Sequence, residues 1–285
     1  MASTMAESTP KTITPPTSPQ ITSATDNNVH NEKKSSHKRW YPLESNPTLL
    51  NRYISNLGFS TAFYQFMDVY STEEWALSMI PPGTVAVVML YPITEVQETH
   101  RKQEAKELFG IDDKDDTEAN PKTWKSLNSD VWFTKQRIGN ACGTIGVLHA
   151  LANLPPPIQE MTIEPQSWLH RFYQSTPAIM SPLAKAELLE SNEEIESKHD
   201  AATSDGANQT SRGKLEDKVH THFVALVNVK GGLYELDGRK EGPIRHGDTT
   251  DAAFLKDACQ VVKAFMDRDP EEMKFTILAL APSQD

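Results

Sequence analysis

The sequence predicts one mixed α+β domain, and three stretches carry that prediction. Thr84–Tyr91 is a near-continuous apolar run stopped by Pro81-Pro82-Gly83 before it and Pro92 after it, the signature of a central strand buried on both faces. His222–Val229 and Gly232–Gly238 are two apolar runs around a glycine turn, which specifies an antiparallel hairpin. Leu49, Leu50, Tyr53, Ile54 and Leu57 recur at helical spacing, as do Ile145, Leu148 and Leu151 further on.

Composition narrows the function classes. With 38% hydrophobic and 24% charged residues, 285 residues suffice for one large core or two small ones. Two cysteines form no disulfide framework and, without a dense His/Cys cluster, no zinc site, so a reducing compartment is expected. No membrane span, signal peptide or transit peptide is expected, which points to the cytosol with the nucleus also open. Net charge is −11, and residues 1–38 hold four Lys against three acids, leaving −12 on the rest. An acidic body of this kind excludes nucleic acid as the expected partner and suits a basic one.

In chain order, residues 1–38 contain 17 Ser, Thr or Pro and no aromatic residue, too little apolar surface to offset ordering entropy, so a disordered tail is expected. Its Ser-Pro and Thr-Pro pairs read as incidental. Ser45-Asn46-Pro47 starts the first helix and Gly58 ends it. Phe63–Tyr70 is a short strand, Glu73–Met79 a short helix, and Glu95–Phe109 a solvent-facing helix ended by Gly110. Asp112–Glu118 is a solvated acidic loop that lacks the Gly and closing Glu of a calcium loop. Trp168–Tyr173, Ala184–Leu189 and Ala252–Met266 are helical in pattern, and Lys274–Leu280 is the last strand. Residues 198–213 hold nothing apolar larger than Ala between strong core elements, so a structureless loop is expected there, either functional or idle. Asn208–Thr210 matches a glycosylation sequon that a cytosolic chain would not use.

Chemistry concentrates where a polar approach runs into an apolar helix, Gln136-Arg-Ile-Gly-Asn-Ala-Cys142. Gly139 and Asn140 read as turn and cap, placing Cys142 in the first turn of a buried helix, where free N–H groups and the dipole favour a thiolate. Such a nucleophile needs an imidazole and a carboxylate that orients it. The hairpin supplies both in one register. With Lys230-Gly231 as the loop, His222 faces Arg239 and Asp237 is its diagonal neighbour on the same face. With Gly231-Gly232 as the loop, Asp237 moves four residues along, roughly 13 Å, and the pairing is lost. Gln136 can donate to a developing oxyanion beside the Cys142 N–H. Cys259 reads as a small core hydrophobe and His149 as a packed core histidine, while His220 and His246 stay open as alternatives to His222, and Asp237-Gly238 also reads as a plain turn.

Gln136–Asn153 and His222–Gly247, with Trp40-Tyr-Pro-Leu-Glu-Ser-Asn-Pro and Tyr91-Pro-Ile-Thr-Glu, resemble the ubiquitin C-terminal hydrolase family of cysteine deubiquitinases over about residues 39–282. The resemblance implies a mainly antiparallel central sheet with helices on both sides, a papain-like catalytic arrangement, and the short single-domain form. It implies Cys142 as nucleophile, His222 as general base, Asp237 as orienter and Gln136 as oxyanion donor, with no metal or organic cofactor. It also implies ubiquitin as partner, a monomer, and a loop at about 195–215 crossing over the site so that only small or unfolded leaving groups pass. Gly143 and Gly146 are expected to let the ubiquitin tail approach closely. Two other readings remain: a non-catalytic ubiquitin-binding module, and a hydrolase acting on a ubiquitin-like modifier. The longer tail and the acidic insertion at 112–122 depart from the short family members without touching the motifs.

Overall fold

Asn46 starts the first helix, α1 (Pro47–Leu57), by accepting the Leu49 N–H at 3.2 Å, with Pro47 at its first position, and Gly58 ends it at φ +100°. The computed structural model describes residues 38–110, 130–204, 206, 215 and 219–284. The expected tail up to residue 37, the acidic stretch Asp112–Glu118 and the Asn208–Thr210 sequon therefore lie outside the described residues.

After β1 (Tyr64–Asp68) and the short α2 (Glu74–Leu77) come β2 (Ala86–Pro92) and α3 (Glu95–Phe109), the latter capped by Thr94 and ended by Gly110. The buried helix α4 (Cys142–Ala152) is followed by α5 (Pro156–Thr162), α6 (Trp168–Ser175), α7 (Pro182–Glu190) and α8 (Glu193–Thr203). The chain closes with β3 (Thr221–Val229), β4 (Gly232–Leu236), β5 (Ile244–Asp248), α9 (Phe254–Arg268) and β6 (Thr276–Pro282).

The six strands form one antiparallel sheet in the order β1-β6-β2-β3-β4-β5. Because successive side chains alternate between faces, Ala86, Val88, Ala225 and Val227 join the core with α1 and α4. Val87, Met89, Val224 and Leu226 join the opposite core with α9. This two-sided cover explains the unbroken apolar run of β2.

Three elements differ from the sequence expectation. Residues 198–203 are helical, because α8 is capped by Asn192, carries Glu193, Glu194 and Glu196 in its first turn, and buries Ile195, His199, Ala202 and Thr203. Its buried face is mostly small and polar, so the lack of large apolar residues misled. Helix α5, which the sequence pattern did not indicate, starts at the prolines 155–157, since a helix tolerates Pro in its first turn. The edge strand β5 is largely solvated, so it shows no apolar alternation, and a bulge at Leu233/Tyr234 shifts its register. Lys38, placed in the expected tail, meets Glu196 at 2.7 Å, and Trp40 N–H donates to the Gly139 carbonyl at 2.8 Å.

Candidate active site

Cys142 opens α4 after a tight turn in which Asn140 is left-handed, φ 61°. Asn140 is thus a turn residue and not the cap; the cap position is Ala141, whose side chain cannot accept a hydrogen bond. The first-turn N–H groups stay free of any side-chain cap, and the Gly143 and Phe223 N–H groups reach the sulfur. Burial to 7% exposure pushes the thiol up, but a hydrogen bond and charge from His222, with those two N–H groups, bring it below its ordinary value.

The β3–β4 ladder pairs Val229 with Gly232 and Ala225 with Leu236, so the loop is Lys230-Gly231. Both loop residues are left-handed, φ 52° and 81°, the primed turn that two-residue hairpins favour. Beyond the last pair, His222 Nε2 donates to Asp237 Oδ1 at 2.6 Å. Nδ1 is left for the sulfur. Burial alone would depress His222, yet the Asp237 charge and hydrogen bond, with Cys142, raise it to about 9. Burial would likewise raise Asp237, but His222, Lys240 and the Arg239 N–H at 2.8 Å hold its carboxyl well below the usual range. Tyr91 stands edge-on to the imidazole at 5.9 Å.

Gln136 is tied to the same turn by its backbone: its N–H donates to the Gly238 carbonyl at 2.8 Å. Its side chain is less committed. Nε2 donates to the Ile138 carbonyl at 3.2 Å, while buried Oε1 has no hydrogen-bond partner among the described residues. The structure brings Cys142, His222 and Asp237 together in one line; the Gln136 amide must rotate away from Ile138 to donate elsewhere.

The segment approaching Cys142 is held by contacts distant in the chain. Asn153 at the end of α4 donates to the Trp132 carbonyl and accepts the Trp132 N–H, each at 2.8 Å. His149 accepts the Thr134 N–H at 3.1 Å and stacks on Phe133 at 5.0 Å. Burial lowers His149 to about 4, so it stays neutral. Gly238 allows a close approach, since a Cβ there would lie 2.9 Å from Ile145 Cγ2 and 3.0 Å from Gln136 Cβ. Arg239 and Lys240 follow Asp237-Gly238 directly, and both reach carboxylates of α3.

The remaining candidates fall elsewhere. Cys259 lies in α9, 1% exposed, its thiol pushed up to about 12 by burial. The side chain of His220 is exposed, and His246 lies on β5, bonding Glu235 at 2.9 Å. Gly143 and Gly146 face the core, not a ligand path: a Cβ at Gly143 would meet Leu43 at 2.9 Å, and one at Gly146 would meet Phe223 at 3.4 Å. They let α4 pack closely on Leu43 and β3.

A thiol lowered by an adjoining imidazolium, itself held by a buried carboxylate, can attack a carbonyl and pass a proton to the leaving group. The sequence pattern of the family described as ubiquitin carboxyl-terminal hydrolase, family 1, matches residues 40–267. The chain is 39% identical over 250 residues to ubiquitin carboxyl-terminal hydrolase 3 of Arabidopsis thaliana, covering 87% of this chain and 97% of the relative. It is 40% identical over 245 residues to a ubiquitin carboxyl-terminal hydrolase of Drosophila melanogaster, covering 86% and 98%. It is 38% identical over 239 residues to the human isozyme L1, covering 84% and 96%. In fold it is similar to the Trichinella spiralis UCH37 catalytic domain bound to ubiquitin vinyl methyl ester, with TM-score 0.64 and 21% identity, covering 86% of this chain and 96% of that one.

Proposed function

This chain belongs to the ubiquitin carboxyl-terminal hydrolase family and is a ubiquitinyl hydrolase, and from that premise we propose that it cleaves ester, thioester, amide or isopeptide bonds at the C-terminal glycine of ubiquitin. The Cys142 thiolate attacks the glycine carbonyl, and the Cys142 N–H with the Gln136 amide stabilises the oxyanion. Imidazolium His222 gives its proton to the departing amine, alcohol or thiol as the C–N, C–O or C–S bond breaks. That leaves a thioester between Cys142 and ubiquitin. Neutral His222 then takes a proton from water as hydroxide adds to the thioester carbonyl; the C–S bond breaks to return the Cys142 thiolate beside imidazolium His222, and the released ubiquitin carboxyl group loses its proton to solvent. Asp237 keeps the imidazole oriented and stabilises its cation in both halves.

The observation that carries this reading is the buried line from Cys142 through His222 to Asp237, with the thiol lowered and the imidazole raised to about 9. The acidic net charge suits the basic tail of ubiquitin. Residues 195–215, as a crossing segment, would limit leaving groups to small or unfolded ones; of these, residues 195–203 lie in α8.

The test is intact-mass analysis after mixing the protein with ubiquitin bearing a C-terminal electrophile, beside Cys142→Ala. A one-to-one adduct in the wild type and none in the variant is expected. An adduct that persists in Cys142→Ala, or a wild type that binds ubiquitin without reacting, would overturn the assignment.

A further inference from the structure

Asp237 is not the only buried carboxylate on its strand. Glu235, two residues earlier and therefore pointing the same way, is also 0% exposed. Burial opposes the charge of each, and a carboxylate this dry ordinarily takes up a proton unless a cation stands near it.

Lys240 pairs with Glu235 directly. Its side chain is 6% exposed, its Nζ lies 2.5 Å from Glu235 Oε1, and it also contacts Glu104 of α3. Its charge acts on Asp237 as well. That matters because both hydrogen bonds to Asp237, from His222 and from the Arg239 N–H, fall on Oδ1. Oδ2 is buried and has no hydrogen-bond partner among the described residues. A nearby cation is what such an oxygen needs.

The backbone around Lys240 ties the site together. Lys240 N–H donates to the Asp237 carbonyl at 2.9 Å, and the Lys240 carbonyl accepts from Lys135 Nζ at 2.9 Å. Gln136 N–H donates to the Gly238 carbonyl between them. One five-residue turn therefore carries the carboxylate that meets His222 and anchors the segment that carries Gln136. A buried ion cluster adds little net stability over an apolar one. What apolar side chains would not do is keep Asp237 charged beside Glu235.

We propose that Lys240 is a positioning residue for the reaction, the counter-cation that lets Glu235 and Asp237 both stay ionised so that the 237–241 turn presents a charged Asp237 to His222. The proposal rests on the Cys142–His222–Asp237 reading above. Lys240 itself touches no reacting atom.

The test compares the full wild-type chain with Lys240→Arg, Lys240→Met, Lys240→Gln, Glu235→Gln and the double variant Lys240→Met/Glu235→Gln. Two readouts are taken: kcat and KM on ubiquitin carrying a C-terminal fluorogenic amide, and the low-field proton resonance of the His222–Asp237 hydrogen bond. The neutral variants at 240 should lower kcat at least about tenfold and displace the resonance, with KM within about twofold. Arg at 240, Glu235→Gln alone and the double variant should stay within about threefold of the wild type, because each keeps the charges near Asp237 balanced. Unchanged kcat and resonance in both neutral variants would overturn the proposal. So would a double variant as impaired as the single one, which would assign Lys240 to packing or to its tie with Glu104. A wild-type chain without turnover would count against the hydrolase reading, and the resonance would then judge Lys240 by itself.

Discussion

His222 Nε2 lies 2.6 Å from Asp237 Oδ1, and the two side chains are 3% and 0% exposed. No water competes for that bond, so the pair transmits the full effect of one charge on the other. The chemical consequences follow from that dryness.

Asp237→Asn keeps a hydrogen-bond acceptor and removes the charge. His222, raised to about 9 with Asp237 present, then falls back because burial continues to oppose its cation. The alkaline limb of kcat/KM should move from near 9 toward neutral by at least about one unit. The rate constant should drop by roughly 10²–10⁴, the range for orienting carboxylates of triads. A pH–rate profile of both proteins checks this, and a variant with an unshifted limb would contradict it.

Stability should carry the same signature. The folded value of His222, about 9, lies above the unfolded value of about 6.5, so its contribution is fully present below pH ~6.5 and is lost as pH rises through 9. Asp237 is depressed, so its contribution is present above pH ~4 and is lost only as pH falls below that value. The urea midpoint of the wild type should fall between pH 6.5 and 9, and Asp237→Asn should flatten the slope. Equal slopes would show that the pair is not linked to folding.

The two cysteines should separate by reactivity. Iodoacetamide at neutral pH should alkylate Cys142 in the folded protein, and Cys259 only after denaturation, since one thiol is lowered and the other pushed up to about 12. Peptide mass mapping at short times reads the sites. Cys259→Ser should leave kcat within about twofold while costing about 1–2 kcal/mol for a buried hydroxyl.

Gly238→Ala forces a methyl group against Ile145 and Gln136 at 2.9 and 3.0 Å. Something must move, at about 1–3 kcal/mol. Because the displaced segment carries Gln136 and the turn carries Asp237, kcat should fall more than KM rises. A chemical melt beside steady-state kinetics would show both, and full activity would mean that the turn yields without disturbing the site.

Gln136→Ala tests whether the amide leaves Ile138 for the oxyanion. A loss of about 10²–10³ in kcat is expected for one donor, with little change in KM. If kcat is unchanged, the amide only braces its own loop through the Ile138 carbonyl.

Much of this was written in short-range chemistry. Asn46-Pro47 and Gly58 bound α1, and Thr94 and Gly110 bound α3, because caps and left-handed glycines act within one turn of chain. Cys142 at the head of a buried helix was legible for the same reason. The hairpin left two registers open, since either pair of loop residues contains a glycine; pairing in the sheet selected the one with Lys230 left-handed. Helix α8 escaped notice because its buried face is His199, Ala202 and Thr203 as much as Ile195, and β5 because an edge strand need not alternate.

The sequence by itself determined which residues could do the chemistry, because a nucleophile, a base and an acid are properties of side chains and their immediate neighbours. Tertiary structure alone decided their charge states. The depressed Asp237, the raised His222 and the balancing Lys240 depend on exclusion of water and on contacts between α3, β3, β4 and the 237–241 turn, up to 141 residues apart in the chain. Burial and long-range Coulomb interactions have no period and no local motif, and so leave no mark on the sequence that a reading of residue types can detect.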